Sequence, residues 1–225
     1  MPEAMKRVEA VRSSRLASVS PPTRKLAMTP TRFHVEFIPD KPFLVIPKVS
    51  SERRRYIPIG YMTPETLISD LCFIMADATP FHFGVLTSSM HMAWMKLVCG
   101  RLKSDYRYSA GLVYNNYPWP SEPGEKLRGA VEAKGAAVLA ARARHPAASL
   151  ADLYDPLTMP PDLTKAHAEL DRAVERCYRP EPFAADRDRV EFLFAEYERL
   201  TNPLTAGLGV KPKGARRAAD RKSVV

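Results

Sequence analysis

Cysteine is scarce: the 225 residues contain three, Cys72, Cys99 and Cys177, far apart and in no CxxC pair. An odd, scattered set supplies neither a disulfide framework nor a zinc knuckle, and it fits a cytoplasmic protein with reduced thiols. Long apolar runs are missing too. No stretch approaches ~18 uninterrupted apolar residues, so no membrane-spanning helix is expected. The opening residues, MPEAMKRVEAVRSSRL, hold no apolar segment of the secretory-signal kind. Common enzyme motifs are absent: there is no GxGxxG, Walker A loop, HExxH or GxSxG. None of His34, His82, His91, His145 and His167 has a histidine or cysteine at i+4, and His82 and His91 are nine apart, off one another's helical face. Capping, core or surface places are expected for them.

What is present is a core's worth of apolar residues, 45% of the chain with 9% aromatic, which excludes wholesale disorder. There is also an uneven charge. The net +9 divides into +7 over residues 1–60, 0 over 61–120, −3 over 121–200 and +5 over 201–225. Such asymmetry favours a polyanion on one side of the molecule, with solvated basic ends as the alternative.

The pattern predicts an α+β protein in four parts. Residues 1–30 read as a short helix, with Val8, Val11 and Leu16 among arginines, followed by an extended connector over 17–31 rich in Pro, Ser and Thr. A chain that opens this way reads as the end of something longer. Residues 31–120 form a small mixed strand and helix domain. Strands are expected at Phe43–Ile46, Tyr56–Tyr61 with Pro58 at an edge or bulge, and Leu71–Met75. A helix follows over His82–Cys99, stopped by Gly100, then a loop, a short strand at Gly111–Tyr114 and a proline-locked exit. Residues 121–205 are helical. One helix spans Glu125–Arg144, a capping box starts at Ser149 with Asp152, and stripes run over Leu163–Tyr178 and Val190–Leu200. Residues 206–225 are basic and aperiodic, and read as a disordered tail.

One tetrapeptide, Asn116-Tyr117-Pro118-Trp119, is similar to the Asn-Pro-Pro-aromatic motif with which adenine-N6 methyltransferases hold a flipped base. It has Tyr where the first proline is needed, so it reads as a hinge, with Trp119 packed on the helices. Two clusters carry more chemistry. Lys48, Ser50, Ser51, Arg53, Arg54 and Arg55 lie at a turn between strands; Arg101, Lys103, Ser104, Asp105, Arg107 and Tyr108 follow a helix. Cations and hydroxyls of this kind bind phosphates, and Arg, Lys and Asp can read base edges in a major groove. On an extended loop Lys103, Asp105 and Arg107 would share one side. The alternatives are a solvated arginine turn and an Asp105–Arg107 ion pair. Two such clusters in a basic protein favour double-stranded DNA as partner.

The stretches PTRKLAMTPTRFHVE, FLVIPKVSSERRRYIPIGY, FHFGVLTSSMHMAWM, GRLKSDYRYSAGLVYNNYPWP and LADLYDPLTMPPDLTKAHAELDRAV resemble the C-terminal third of MmeI-like type II restriction-modification DNA adenine methyltransferases. The resemblance runs over about residues 7 to 200. It implies that 31–120 is a target recognition domain, that 121–205 is a helical C-terminal domain, and that specificity sits around Gly100–Ser109. The family's catalytic tetrapeptide and cofactor motif would lie upstream of Met1. The resemblance therefore implies S-adenosylmethionine for a full-length enzyme or a catalytic partner, no cofactor in this chain, and a truncated or split product. A rival expectation is a non-enzymatic remnant that docks on another protein through its helical bundle. Methylation by this chain unaided conflicts with the missing cofactor loop.

Overall fold

The computed structural model describes residues 1–33 and 36–202; the expected tail over 206–225 lies outside them. A first compact unit ends at Pro39 and a second begins at Asp40. The first holds α1 (Pro2–Leu16), α2 (Pro21–Lys25) and a 3₁₀ turn at Leu26–Met28. The connector expected over 17–31 is therefore largely helical. Pro21 and Pro22 occupy the first helical positions, where proline loses no hydrogen bond, so they open a helix rather than prevent one. Arg15 fastens the turn by donating to the carbonyls of Leu26 and Thr29, each at 2.9 Å. α1 buries none of its residues.

The second unit begins with two small antiparallel sheets. Strand β1 (Phe43–Pro47) lies between β3 (Gly60–Met62) and β4 (Cys72–Met75). The expected strand over 56–61 starts only at Gly60, because Pro58 cannot donate to a ladder. β1 runs on through Lys48 into β2 (Val49–Ser50), which joins a second sheet with β6 (Asp105–Arg107) and β5 (Gly100–Leu102), in the order β2-β6-β5. Lys48 is the corner between the sheets: its N–H donates to Leu71 O at 2.9 Å and its carbonyl accepts from Tyr108 N at 2.9 Å.

Between β4 and β5 lie α3 (Pro80–Leu86) and α4 (Ser89–Val98), where one helix over 82–99 was expected. Thr87 and Ser88 break it, and Leu97 near the end of α4 is exposed. α3 starts at a reciprocal cap between Thr79 and His82, so His82 has one of the expected bland roles. Gly100 does not end a helix in solvent but begins β5. The strand expected at Gly111–Tyr114 is a π-helical turn, Ala110–Tyr114. Ser109 Oγ accepts from Leu112 N, and the Asn116 amide donates to the Gly111 and Leu112 carbonyls, which turns an apolar, β-prone run into a coil.

Four helices follow: α5 (Glu125–Ala143), α6 (Leu150–Leu153), α7 (Pro161–Glu175) and α8 (Asp186–Thr201). The Ser149–Asp152 capping box forms in full. The apolar-face residues Leu163, Ala166, His167, Leu170, Ala173, Val174, Cys177 and Tyr178 are all buried or half-buried; of Val190, Leu193, Phe194, Tyr197 and Leu200 in α8, Leu200 alone is exposed. α5 packs on α3 and α7, and α4 on α8. One apolar core therefore runs from Leu44 and Ile46 in the sheet, through Phe83 and Trp94, to Leu163, Val174 and Leu193. No helix among the described residues is long and apolar enough to cross a membrane.

Candidate nucleic-acid interface

The two cationic clusters meet at one end of the second sheet. β2 pairs antiparallel with β6 (Val49 opposite Arg107, Ser50 opposite Tyr106), and β6 pairs antiparallel with β5 (Arg101 opposite Tyr106, Leu102 opposite Asp105). The chain leaving β2 therefore enters its 51–54 turn beside the 103–104 hairpin turn. An ion pair from Arg101 Nη1 to Glu52 Oε2, 3.5 Å, spans the two turns. The sequence predicts a loop after Gly100, where the structure has this hairpin.

Alternation along the strands sorts the side chains by face. Ser50, Arg101 and Tyr106 share one face, and Val49, Gly100, Leu102, Asp105 and Arg107 the other. The first face turns inward at Ser50 and Tyr106, while Arg101 on β5 stays exposed. Ser50 and Tyr106 are buried, and the Arg101 guanidinium lies 4.3 Å from the Tyr106 ring centroid while donating to Ser104 O at 2.9 Å. The second face meets solvent: Arg107, Val49, Gly100 and Leu102 are exposed and Asp105 is half-buried.

Two expected contact residues are thereby removed from the surface. Ser50 is buried because its register puts it under Tyr106. Tyr108 is 4% exposed, bonds His91 Nε2 at 3.1 Å, and burial pushes its phenol pKa well up. Three others are engaged but reachable. Lys48 sits 4.8 Å from the Phe73 ring centroid, Ser51 shapes its own turn by accepting from Arg53 N, and Ser104 stands exposed in the hairpin turn. Arg55 lies over the Tyr56 ring at 5.4 Å and lines a polar cavity of about 100 Å³ with Asp171 and Arg189.

Arg101 is tied to Glu52 and to Ser104 O, and the remaining five are uncommitted. Among the described residues Arg53, Arg54, Lys103, Asp105 and Arg107 make no ion pair and no side-chain hydrogen bond. The internal Asp105–Arg107 pair is not formed, although both project from one face of one strand. Lys103 is also at φ 56, in the left-handed region that favours glycine. Holding a lysine there costs about 1 kcal/mol, and the chain spends it on an exposed cation at the hairpin tip. Val49 and Leu102, apolar yet on the solvent face, escaped the sequence reading because only the register reveals which side they take.

The 51–56 turn is set by the helices behind it. Tyr56 OH donates to Asp171 Oδ2 at 2.7 Å, Ser89 N donates to Asp171 Oδ1 at 2.8 Å, and the Tyr56 ring stacks on His167 with centroids 4.0 Å apart. Burial raises the Asp171 pKa, opposed by those hydrogen bonds.

Residues 1–121 match the family model "MmeI, target recognition domain", and residues 124–205 match "MmeI, C-terminal domain". The chain belongs to the MmeI family. It is 40% identical over 200 residues to DNA methyltransferase A of Bacillus subtilis (strain 168), an alignment covering 89% of this chain and 22% of that protein. It is also similar to a solved structure of the Type IIL restriction-modification enzyme MmeI in complex with DNA. There the TM-score is 0.83 at 44% identity, over 89% of this chain and 27% of that one. The chain thus spans about a quarter of the length of these relatives. Within the family frame, the hairpin and the arginine turn belong to the target recognition match, and α5–α8 to the C-terminal match.

The Asn116–Trp119 segment does not fit a flipped base or a methyl donor. The Asn116 amide is spent on backbone carbonyls, Tyr117 is buried with its hydroxyl accepting from Tyr178 OH at 2.7 Å, and Trp119 packs edge-on against His82, Tyr114 and Tyr117. Among the described residues no cluster of three or more His, Cys, Asp or Glu could hold a metal ion.

Proposed function

We propose that this chain is the DNA-sequence recognition module of a restriction-modification adenine-N6 methyltransferase, working in the cytoplasm with a methyltransferase part that uses S-adenosylmethionine. A β-ribbon can enter the ~12 Å major groove, and the β5–β6 hairpin, with β2 on the other edge of β6, carries a cation at its tip. Lys103, Asp105 and Arg107 read base edges. Arg53 and Arg54 hold phosphates, assisted by Lys48, Ser51, Arg55, Arg101 and Ser104. The observation that carries the reading is the unpaired state of Asp105 and Arg107 on one solvent-facing strand, beside the uncommitted Arg53 and Arg54. Charges left unpaired together are available to an outside partner, and the surrounding cations select a polyanion.

Three substitutions test this with selected and random duplexes. Lys103→Gly relieves the left-handed residue, so its melting temperature should hold or rise while its base preference changes. Asp105→Ala should change preference at one position by about 1–3 kcal/mol. Arg54→Ala should weaken all sequences alike and lower the salt slope by about one. Unaltered DNA affinity and preference in all three variants would overturn the proposal.

A further inference from the structure

We propose that Val49 and Leu102 are contacts for the 5-methyl group of thymine, a specificity element inside the interface proposed above and resting on that reading. Both side chains stand on the solvent face of the β2-β6-β5 sheet, at 39% and 49% exposure. Scattered surface hydrophobics need no explanation. These two are not scattered. Val49 is the cross-strand partner of Arg107, and Leu102 that of Asp105. Directly opposed residues have Cβ atoms about 5 Å apart. Each uncommitted polar group on this face therefore has one apolar neighbour, and the other position opposite Arg107 is Gly100, which adds no side chain.

That pairing matches the major-groove edge of an A·T pair. Thymine presents an O4 acceptor and, beside it, a methyl group; adenine presents an N6 amino donor and the N7 acceptor. Arg107 can donate to O4 while Val49 covers the methyl. Asp105 can accept from an exocyclic amino group while Leu102 covers a thymine methyl on the same or the next pair. The two apolar residues are separated by two strand spacings and two residues along β6, about 12 Å, so they serve different base pairs. A protein partner would also accept Val49 and Leu102. The flanking Arg53, Arg54 and Lys103, none of them paired among the described residues, favour the nucleic acid.

The experiment uses the full chain and unmodified duplexes selected from a random pool, with binding followed by fluorescence anisotropy. Each thymine of the selected site is replaced in turn by uracil, which removes the methyl and nothing else. At least one replacement should weaken binding about three- to five-fold, the worth of one buried methyl group. In Leu102→Ser or Val49→Ser that loss should vanish, with thymine and uracil duplexes bound alike at the corresponding position. Leu157→Ser, which alters an equally apolar but remote residue at 82% exposure, should keep the full uracil sensitivity. Thermal melting checks that the variants fold. Sequence-specific binding with no uracil sensitivity at any thymine, or sensitivity retained in both serine variants, overturns this inference and leaves DNA recognition standing. Absence of any sequence preference in the wild-type chain overturns both.

Discussion

At the scale of single residues, the chemistry of the core is more unusual than its composition suggests. Arg142 is nearly buried and, among the described residues, has no carboxylate partner. Its guanidinium donates to Ile59 O at 2.7 Å and to Tyr154 OH, and lies over the Phe83 and Tyr154 rings. With two donors aimed at it, the Tyr154 hydroxyl gives its own proton to His167 Nε2 at 2.6 Å, which requires that ring to be neutral. Burial, then the charges of Arg142 and Arg55, pull the His167 pKa down to about 3, and burial pulls that of His91 down to about 4. Both rings are uncharged in the folded protein and take up a proton on unfolding at any pH below the unfolded value of about 6.5. The unfolded state then binds more protons, so stability is full above that pH and falls as the medium is acidified. The decline continues to about pH 4 for His91 and about pH 3 for His167, at up to about 1.4 kcal/mol per pH unit for each ring. Urea titrations at pH 7.5, 6 and 5 should show the unfolding midpoint dropping steadily. His167→Gln, which retains an acceptor for Tyr154, should make that drop shallower. A midpoint independent of pH across this range would contradict the assignment.

At the scale of elements, the close approach of α3 and α5 is set by what is missing from two side chains. A Cβ built on Gly84 would stand 2.5 Å from Val131 Cγ1 and 3.3 Å from the Val131 carbonyl oxygen, while one on Gly135 would meet Phe83 and Pro80 at 3.4 Å. A Cβ on Gly129, in the same α5, would meet none of the described residues within 4 Å. The same substitution should therefore act with opposite signs at a packed and an open glycine. Gly84→Ala should cost about 1–3 kcal/mol through overpacking, whereas Gly129→Ala should gain about 0.5–1 kcal/mol from helix propensity alone. Gly135→Ala should lie between them, and thermal melts of the three variants would order them. Legibility in the sequence follows the same physics. The stripe from Leu163 to Tyr178 was readable because its period is long and one-sided. α3 and α4 were not separable by period, because both bury residues on all sides and the break at Thr87 and Ser88 is made of buried hydroxyls. The hairpin was hidden because its turn uses Lys103 and Ser104 in place of Asn-Gly. Lys103, Asp105 and Arg107 could be nominated from residue type alone, but Ser50 and Tyr108 could not be excluded without knowing which strand faces which.

At the scale of the whole molecule, the border between the two family matches does not coincide with a break in the core. The target recognition match ends at residue 121 and the C-terminal match starts at 124. Yet Phe81, Phe83 and Trp94, before that border, share one buried cluster with Val131, Leu163, Leu170 and Leu193 beyond it. Polar anchors cross it as well: Tyr56 to Asp171, Arg142 to Ile59 O, Lys96 to Asp186 at 3.0 Å, and Tyr178 OH to Pro118 O at 3.1 Å. A recognition half produced without its helices would expose the Phe83 and Trp94 side chains to water, at about 1.5–3 kcal/mol for each large apolar side chain left uncovered. It would also release Tyr56, and with it the arginine turn. Residues 1–122 expressed alone should thus aggregate or give little near-ultraviolet dichroism. Co-expression with 123–225 as a separate chain should return a soluble complex that binds DNA. If the first piece alone instead folded cooperatively and kept full affinity, the helices would be an appendage, and the route by which α7 positions the arginine turn through Tyr56 and Asp171 would have to be abandoned.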